Sequence, residues 1–593
     1  MTTGIVFGLT HKSIDHFQTD YNLKVTEKLA LSLTYDISSG LLAIFISYYG
    51  GRGNKPRWIA VSSILIGVGS FLCSCPYTSG GDYQLRMEIE DICQEPKVIS
   101  TCRDKLPVFP SKYTYFFTFG QTVQGIAGLP LYILGEIFVD DSVDRHSLGT
   151  YLGFAEASTI IGYALGVTLG ASQDLDTVNS TFTKHPRFRE YSVRWIRTWW
   201  IYFLLTAFIA WSTLIPLSCF PYYLPGTAKK KAEKRKQPDW PHNDDEHQEF
   251  GTSIKDLFAS VLILIKNPVL VCTAVSRAVE YLLIIGIGEF LPIYIEHQYE
   301  LSHAMATILS GLLFFPGCAI GLILGGVIIS KLEMSPKAIM RFIIITSAIT
   351  LILLAFIIFV RCEAVQFAGI TENYERTGQL GNLTAPCNSH CKCSSSFYSS
   401  ICGRDNIEYF SPCFAGCTSS KIFAAQKLYY NCSCITKGLS TEDDEGYFPD
   451  AEHGKCDAKC YKLPLFISFI FSTILFAGLS GVPHVVTIIR SVSENHRSLA
   501  LGVAFGILRL FGTIPGPFLI RMIEESSCTF HDTGTCGFAG SCRIYNKLKM
   551  ASLLVEICFL FKGLSICFIA IAFYTYSHSV QENIDMLPIG GQE

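Results

Sequence analysis

The chain alternates long apolar runs with shorter polar connections. A run of about 20 apolar residues is long enough to cross a bilayer core as a helix. Eleven such runs can be traced, at roughly 31–50, 58–76, 112–138, 148–171, 198–220, 268–295, 302–330, 339–361, 463–489, 499–522 and 547–575. Ahead of them "MTTGIVFGL" (1–9) is apolar but too short to cross lipid, and it reads as the last half of a twelfth helix whose beginning is missing. It has neither the basic start nor the small-residue cleavage site of a signal peptide. Two polar intervals divide the rest. Residues 221–258 form a basic linker too charged for lipid, and 362–461 form a long cysteine-rich loop. The predicted organisation is an N-terminal transmembrane half (1–220), the linker, a C-terminal half in two parts (259–361 and 462–576) and a tail (577–593).

Composition agrees with an all-α polytopic membrane protein, at 49% hydrophobic, 13% aromatic and only 16% charged residues. The net charge of −3 says nothing about nucleic acid or other partners, because in a membrane chain the placement of charge carries the information. Basic residues cluster in every second connection: Arg52, Lys55 and Arg57, then "KKKAEKRK" (229–236), then Lys331 and Lys337, then Arg490 and Arg497. These connections are expected in the cytoplasm, with the C-terminus. The three N-x-S/T acceptors, Asn179, Asn382 and Asn431, fall in the intervening, outward connections. "KKKAEKRK" also has the composition of a lipid-binding patch or nuclear signal, but a solvated linker needs no added function. Short basic loops near glycines, "GGRGNKPR" (50–57) and "GGVIISKLEMSPK" (325–337), recur at corresponding places in the two halves.

Seven of the 23 cysteines (Cys73, Cys75, Cys219, Cys272, Cys318, Cys558 and Cys567) sit in or at the ends of spans, where cysteine acts as a small hydrophobe. Sixteen lie in outward loops or at their edges: Cys93, Cys102, Cys362, Cys387, Cys391, Cys393, Cys402, Cys413, Cys417, Cys432, Cys434, Cys456, Cys460, Cys528, Cys536 and Cys542. An even number in an oxidising compartment points to complete pairing, with connectivity left open. "CKC" and "CSC" raise zinc as an alternative, although zinc sites usually space their thiolates as CxxC. No metal or cofactor is expected. Neither is an enzyme, since no phosphate loop, ligand cluster or nucleophile elbow stands in a suitable context.

Cys402, Gly403, Asp405, Tyr409, Cys413 and Cys417 spell C-G-x-D-x-x-x-Y-x-x-x-C-x-x-x-C, which resembles the core of a Kazal domain, here at about 381–436. Its place within a multi-span chain resembles the organic anion transporting polypeptides. "SVRWIRTWWIYFL" resembles that family's signature through Arg194, Trp195, Ile196, Trp199, Trp200, Phe203 and Leu204, while Ser192, Arg197, Thr198 and Tyr202 depart from it. "YLGFAEA", "SLALGVAFGILRLFGTIPGP" and "CDAKCYKLPLF" extend the likeness over nearly the whole chain, closest to the testis-type (gonad-specific) subfamily. The resemblance implies a major facilitator fold of 12 helices, the first truncated here, in two halves that rock about a central cavity. It also implies a plasma-membrane location and sodium-independent transport of large amphipathic anions such as steroid conjugates, bile salts, thyroid hormones and prostaglandins. The disulfide module would then cap the cavity mouth. Protease inhibition, the usual work of free Kazal domains, finds little room for a binding loop in "CNSHCKC" (387–393), and a transport-inactive receptor, adhesion or scaffold protein is the remaining alternative.

Ionisable residues inside spans are functional candidates by default. Arg509 sits about ten residues into an apolar span, and guanidinium suits carboxylate or sulfate by paired hydrogen bonds. The resemblance implies a functional arginine in this "R-x-x-G" context, with Asp36 as counter-charge where relatives usually carry Glu. Arg277 and Glu280 are three residues apart and placed to neutralise each other. Glu156 and Glu289 are lone acids in apolar segments, and His484 is a candidate titrating group or a satisfied core histidine. Gly512, Pro515, Gly516 and Pro517 should loosen the helix beside Arg509. Where many relatives carry a histidine and an arginine linked to bicarbonate, this chain has Tyr77 and Gln124, which sets bicarbonate coupling in doubt. The bilayer and small organic anions are the expected partners.

Overall fold

A bilayer offers the backbone no hydrogen-bond partners, so each apolar run satisfies its own N–H and C=O groups as a helix. A computed structural model describes residues 1–20, 25–78, 92–93, 114–182, 199–221, 224–227, 229–230, 251, 253–360, 362, 366–374, 380–395, 398–423, 426–435, 449–456, 460–533 and 539–585. The first set of helices is α1 (Thr2–Asp20), α2 (Val25–Arg52), α3 (Lys55–Thr78), α4 (Thr114–Leu129), α5 (Gly135–Ser142), α6 (Leu148–Phe182), α7 (Trp199–Ser212) and α8 (Leu214–Ser218). After the basic stretch come α9 (Ile254–Lys266), α10 (Pro268–Tyr299), α11 (His303–Lys331), α12 (Pro336–Ile357), α13 (Leu463–Leu479), α14 (Gly481–Arg490), α15 (Arg497–Leu508), α16 (Gly516–Ser527) and α17 (Lys547–Asp585). Each set packs mainly on itself, and the two meet through α6 with α11 and α2 with α15. Among the described residues, ten helical segments are long and apolar enough to cross a membrane. The remaining expected span, 31–50, lies inside α2, and the helix begun by residues 1–9 runs on to Asp20.

Two π-helical turns interrupt the helices. One, Pro130–Leu134, joins α4 to α5, and the other, Arg509–Thr513, joins α15 to the break at Pro515. Both fall beside proline, which removes a backbone donor and cannot continue the regular ladder. The loosening expected from Gly512 to Pro517 is therefore present, and it starts at Arg509 itself.

Helices in lipid attract one another through close packing rather than the hydrophobic effect, so small residues mark their contacts. Gly4 and Gly8 of α1 face Thr159 and Tyr163 of α6, while Gly162 and Gly166 of α6 face Met1 and Ile5. A Cβ built on any of these four glycines would stand 2.2 Å from the opposing carbonyl oxygen. The same device joins the two sets: a Cβ on Gly326 would stand 2.2 Å from Gly149 O, and one on Gly502 2.0 Å from Ser47 Oγ.

These contacts lie at the end of the bundle that carries the basic connections, where polar bonds add to them. Ser498 Oγ donates to Ser47 O at 2.8 Å, Arg497 pairs with buried Asp140 at 2.8 Å, and Arg490 donates to Met334 O at 3.1 Å and Arg145 O at 3.0 Å. The two sets of helices are closed against each other there.

At the opposite end a five-stranded sheet is ordered β2 (Glu408–Tyr409), β1 (Ile401–Gly403), β5 (Ala451–His453), β4 (Gln426–Cys432), β3 (Cys417–Phe423). Its core is small, so disulfides supply what burial cannot. Cys387–Cys434, Cys393–Cys413, Cys402–Cys456 and Cys417–Cys432 staple it internally, Cys93–Cys391 ties it to the connection after α3, and Cys362–Cys460 closes its base. The thiols of "CKC" and "CSC" are thus oxidised, which removes the ligands that the zinc alternative requires. The sheet also reaches beyond residue 436, since β5 lies between β1 and β4. A hairpin of β6 (Cys528–Thr533) and β7 (Ala539–Tyr545), closed by Cys528–Cys542, sets Phe530 edge-on to Phe410 of the module at 5.6 Å. Cys102 and Cys536 lie outside the described residues. The seven cysteines assigned to spans are all free thiols.

Replacing Gly162 by Leu forces a side chain onto the Met1 carbonyl, an overpacking cost of about 1–3 kcal/mol. The thermal unfolding midpoint in detergent is expected to fall by several degrees. Gly563→Ala, where a Cβ meets nothing within 4 Å, should leave it unchanged.

Candidate functional site

Among the described residues, three cations lie in the middle of the bundle, and each meets a carboxylate. Arg509, at the start of its π turn, pairs through Nη1 with Oδ1 of Asp36 on α2, across the seam between the two sets of helices. Its guanidinium carbon lies 4.7 Å from the Phe505 ring centroid and 5.4 Å from that of Tyr35, a cation–π arrangement. Close approach is possible because Gly40 faces it: a Cβ there would stand 3.2 Å from Arg509 Cβ. Arg509 Nε is buried with no hydrogen-bond partner.

Arg277 of α10 also reaches across the seam, donating from Nη2 to Glu156 Oε1 of α6 at 3.3 Å. Its Nε is likewise buried and unpartnered. Arg277 and Glu280 do not neutralise each other. Glu280 instead takes Lys562 of α17 at 2.6 Å and accepts from Ser347 at 3.1 Å, Ser480 at 2.9 Å and Ser565 at 3.0 Å. One backbone turn separates Arg277 from Glu280, yet different neighbours surround the two positions, and a buried charge goes to the partner that completes its hydrogen bonds. His484 completes the same cluster, with Nδ1 2.6 Å from Ser480 O and Nε2 3.2 Å from Ser276 Oγ, and is a satisfied core histidine. This third group joins helices of one set only and has the saturated bonding of a structural pair.

Glu289 stands apart, 3.6 Å from His11 of α1, and both side chains are partly exposed. Gln124 is buried and donates to Ser70 Oγ at 3.3 Å, while the Tyr77 side chain lies outside the described residues. Of the signature, Arg194, Trp195 and Ile196 lie outside the described residues, as does the Trp199 side chain, and Trp200 packs against the cluster of Leu9, Leu31, Phe117 and Phe203. Asn382 and Asn431 are exposed on the module, and the Asn179 side chain lies outside the described residues.

Sequence reading missed Lys562, which had a signal as a lone charge in an apolar run, "CFLFKGLSICF".

The disulfide module stands on its own charged contact with the bundle. Glu300 at the end of α10 pairs with Lys547 at 2.6 Å and Lys455 at 3.8 Å, and Lys455 also reaches Glu296 at 3.4 Å. Glu408 of β2 is buried behind them and accepts from Tyr398 at 3.4 Å. Burial, reinforced by the nearby Glu300 charge, pushes its carboxyl up to about 7.

Residues 1–550 match the Organic Anion Transporter Polypeptide (OATP) family. The chain belongs to that family. It is 58% identical to human solute carrier organic anion transporter family member 6A1 over 98% of this chain and 81% of that protein. It is 41% identical to mouse member 4C1 over 97% and 80%. Among solved structures, a major facilitator superfamily proton:xylose symporter, XylE, superposes with a TM-score of 0.52 over 97% of this chain and 93% of that one, at 10% identity, which shows the fold. As an OATP family member of major facilitator fold, the chain is a transporter and not an enzyme.

A carboxyl raised on folding favours the native state most at low pH, and that contribution is lost as pH rises through the folded value. Between an ordinary Glu and about 7 the difference is on the order of 3 kcal/mol. Unfolding of the module, followed by aromatic circular dichroism, should therefore become easier from about pH 5 to pH 8. Glu408→Gln is expected to flatten that dependence.

Proposed function

We propose that this chain carries large amphipathic organic anions, such as steroid conjugates and bile salts, across the plasma membrane without sodium, by alternating access. The observation that carries the reading is Arg509: a guanidinium inside the bundle, bonded across the seam to Asp36, with a buried Nε donor unspent. A carboxylate or sulfate arriving beside it gains a charge-assisted hydrogen bond that no other group uses. Because Asp36 stands on one set of helices and Arg509 on the other, an anion that competes with Asp36 also loosens the seam. Binding and conformational change are then one event, the requirement for a ligand to shift a two-state equilibrium.

Tyr35, Phe505 and the neighbouring apolar faces suit a steroid or bile-salt skeleton, which needs an apolar surface with few convergent polar groups. Arg277 is the second candidate contact, by the same unspent donor. The end closed by Arg490, Arg497 and the glycine contacts is the cytoplasmic one in this reading, and the disulfide module is extracellular. Basic connections at one end and oxidised cysteines at the other support that orientation.

Cells displaying this chain are expected to take up a labelled steroid sulfate. At matched surface amounts Arg509→Ala should lower uptake by 10-fold or more, on the order of the loss when a charged hydrogen bond is removed. Undiminished uptake by Arg509→Ala contradicts the reading.

A further inference from the structure

The helix α9 has 13 residues, so it is about 20 Å long and falls short of the roughly 30 Å of a bilayer core. Its two ends are tied at one level. Just ahead of its N-terminus, Gly251 O accepts from Tyr48 Oη at 2.8 Å and from Arg52 Nη1 at 2.5 Å, both at the end of α2 that carries a basic connection. At its C-terminus the Asn267 side chain donates to Ser491 O at 3.1 Å, one residue past Arg490 of α14. α2 belongs to the first set of helices and α14 to the second. The helix therefore lies across the closed end of the bundle and straps the two sets together.

Three faces follow one another round α9. Leu257, Ser260 and Leu264 are buried against the bundle. Ile254, Phe258, Leu262 and Ile265 are each more than half exposed and, at about 100° per residue, share an arc of about 80°. Lys255 and Lys266 are exposed and fall together just past that arc, on the side away from the bundle. Asp256, the acid of this helix, is turned to its N-terminus, where the carboxylate accepts from Ser253 N at 3.2 Å. The order of bundle, apolar stripe and lysines sets both cations where an apolar surface gives way to an aqueous one. For a helix lying in the plane of a leaflet, that boundary is where lipid phosphates stand.

We propose that α9 is a lipid-docking strap: its stripe enters the leaflet at this end of the bundle, and Lys255 and Lys266 bind the headgroups of anionic phospholipid. In the orientation proposed for the chain this is the cytoplasmic leaflet, the one rich in anionic lipid. Docked lipid holds α9, and α9 holds Gly251 against α2, so binding favours closure of this end. The inference goes beyond the transport reading and is tested without a substrate.

The test is hydrogen exchange on the full chain in nanodiscs of phosphatidylcholine, alone or mixed with phosphatidylserine, sorted into discs that hold one copy and two. A basic residue at an anionic surface is worth about five-fold in binding, so with phosphatidylserine in one-copy discs the α9 amides should exchange about 10-fold or more slowly. High salt should erase that gain. Lys255→Gln combined with Lys266→Gln should lose it, while Lys549→Gln, an exposed lysine at the module end of α17, should keep it. The amides of residues 498–502 in α15, at the seam, should slow together with those of α9. Equal exchange in the two lipids overturns the proposal. Protection confined to two-copy discs makes the stripe an interface between copies and overturns it as well. Slowing of α9 that the seam amides do not follow supports the lipid site and overturns the strap.

Discussion

A charge in the interior of a membrane bundle is not left alone, and the arrangement of these helices follows from that constraint. Arg509, Arg277 and Lys562 each lie near the middle of an apolar helix, and each reaches an acid on another helix: Asp36, Glu156 and Glu280. Removing one partner of a buried pair typically costs about 3–5 kcal/mol, because the survivor keeps its desolvation penalty. The pairs therefore fix which helices are neighbours. Two of them cross the seam and one does not, and the two kinds are built differently. Glu280 is saturated by four donors, whereas Arg509 and Arg277 each retain an unspent Nε. A pair with spare bonding is exchangeable; a saturated one is a fixture.

Close glycine contacts and the polar bonds of Arg490, Arg497 and Ser498 hold the rest of the seam. Where Gly149 meets Gly326 and Gly502 meets Ser47, backbone approaches so closely that a single methyl group would be excluded. Such contacts have no directional bonds to break, so parting them would leave no polar group stranded. The module at the other end follows the opposite principle. Its sheet is short and its apolar core small, and covalent staples hold it whatever the bundle does. Besides the Cys93–Cys391 tie and the Phe530–Phe410 contact, it meets the ends of α10 and α17 through the ionic group of Glu300, Lys455 and Lys547.

The fold was largely legible in the sequence, because bilayer thickness sets a length that apolar runs must meet. Ten of the runs became helices of spanning length and the eleventh lies within α2. Loop chemistry was legible for the same kind of reason: the oxidised cysteines lie at one end of the bundle and the basic connections at the other. The Arg509–Asp36 pair could be read because the resemblance supplied it. The partners of Arg277 and Glu280 could not. Spacing along one helix placed them together, and tertiary neighbours on α6 and α17 decided otherwise. Lys562 was visible as a lone charge in an apolar run, but its role appears only once α17 meets α10. The glycine pairs were likewise invisible, since a glycine in an apolar run shows nothing of what lies opposite.

The central claim is that Asp36 and Arg509 act as one unit across the seam. A double-mutant cycle with Asp36→Asn, Arg509→Gln and the combination, read by unfolding in lipid, tests it most directly. If the account is right, the combined cost falls short of the sum of the single costs by at least about 1 kcal/mol, because either change alone strands a buried charge. Costs that add within about 0.5 kcal/mol would mean the two residues stand side by side without depending on each other, and the account would fail.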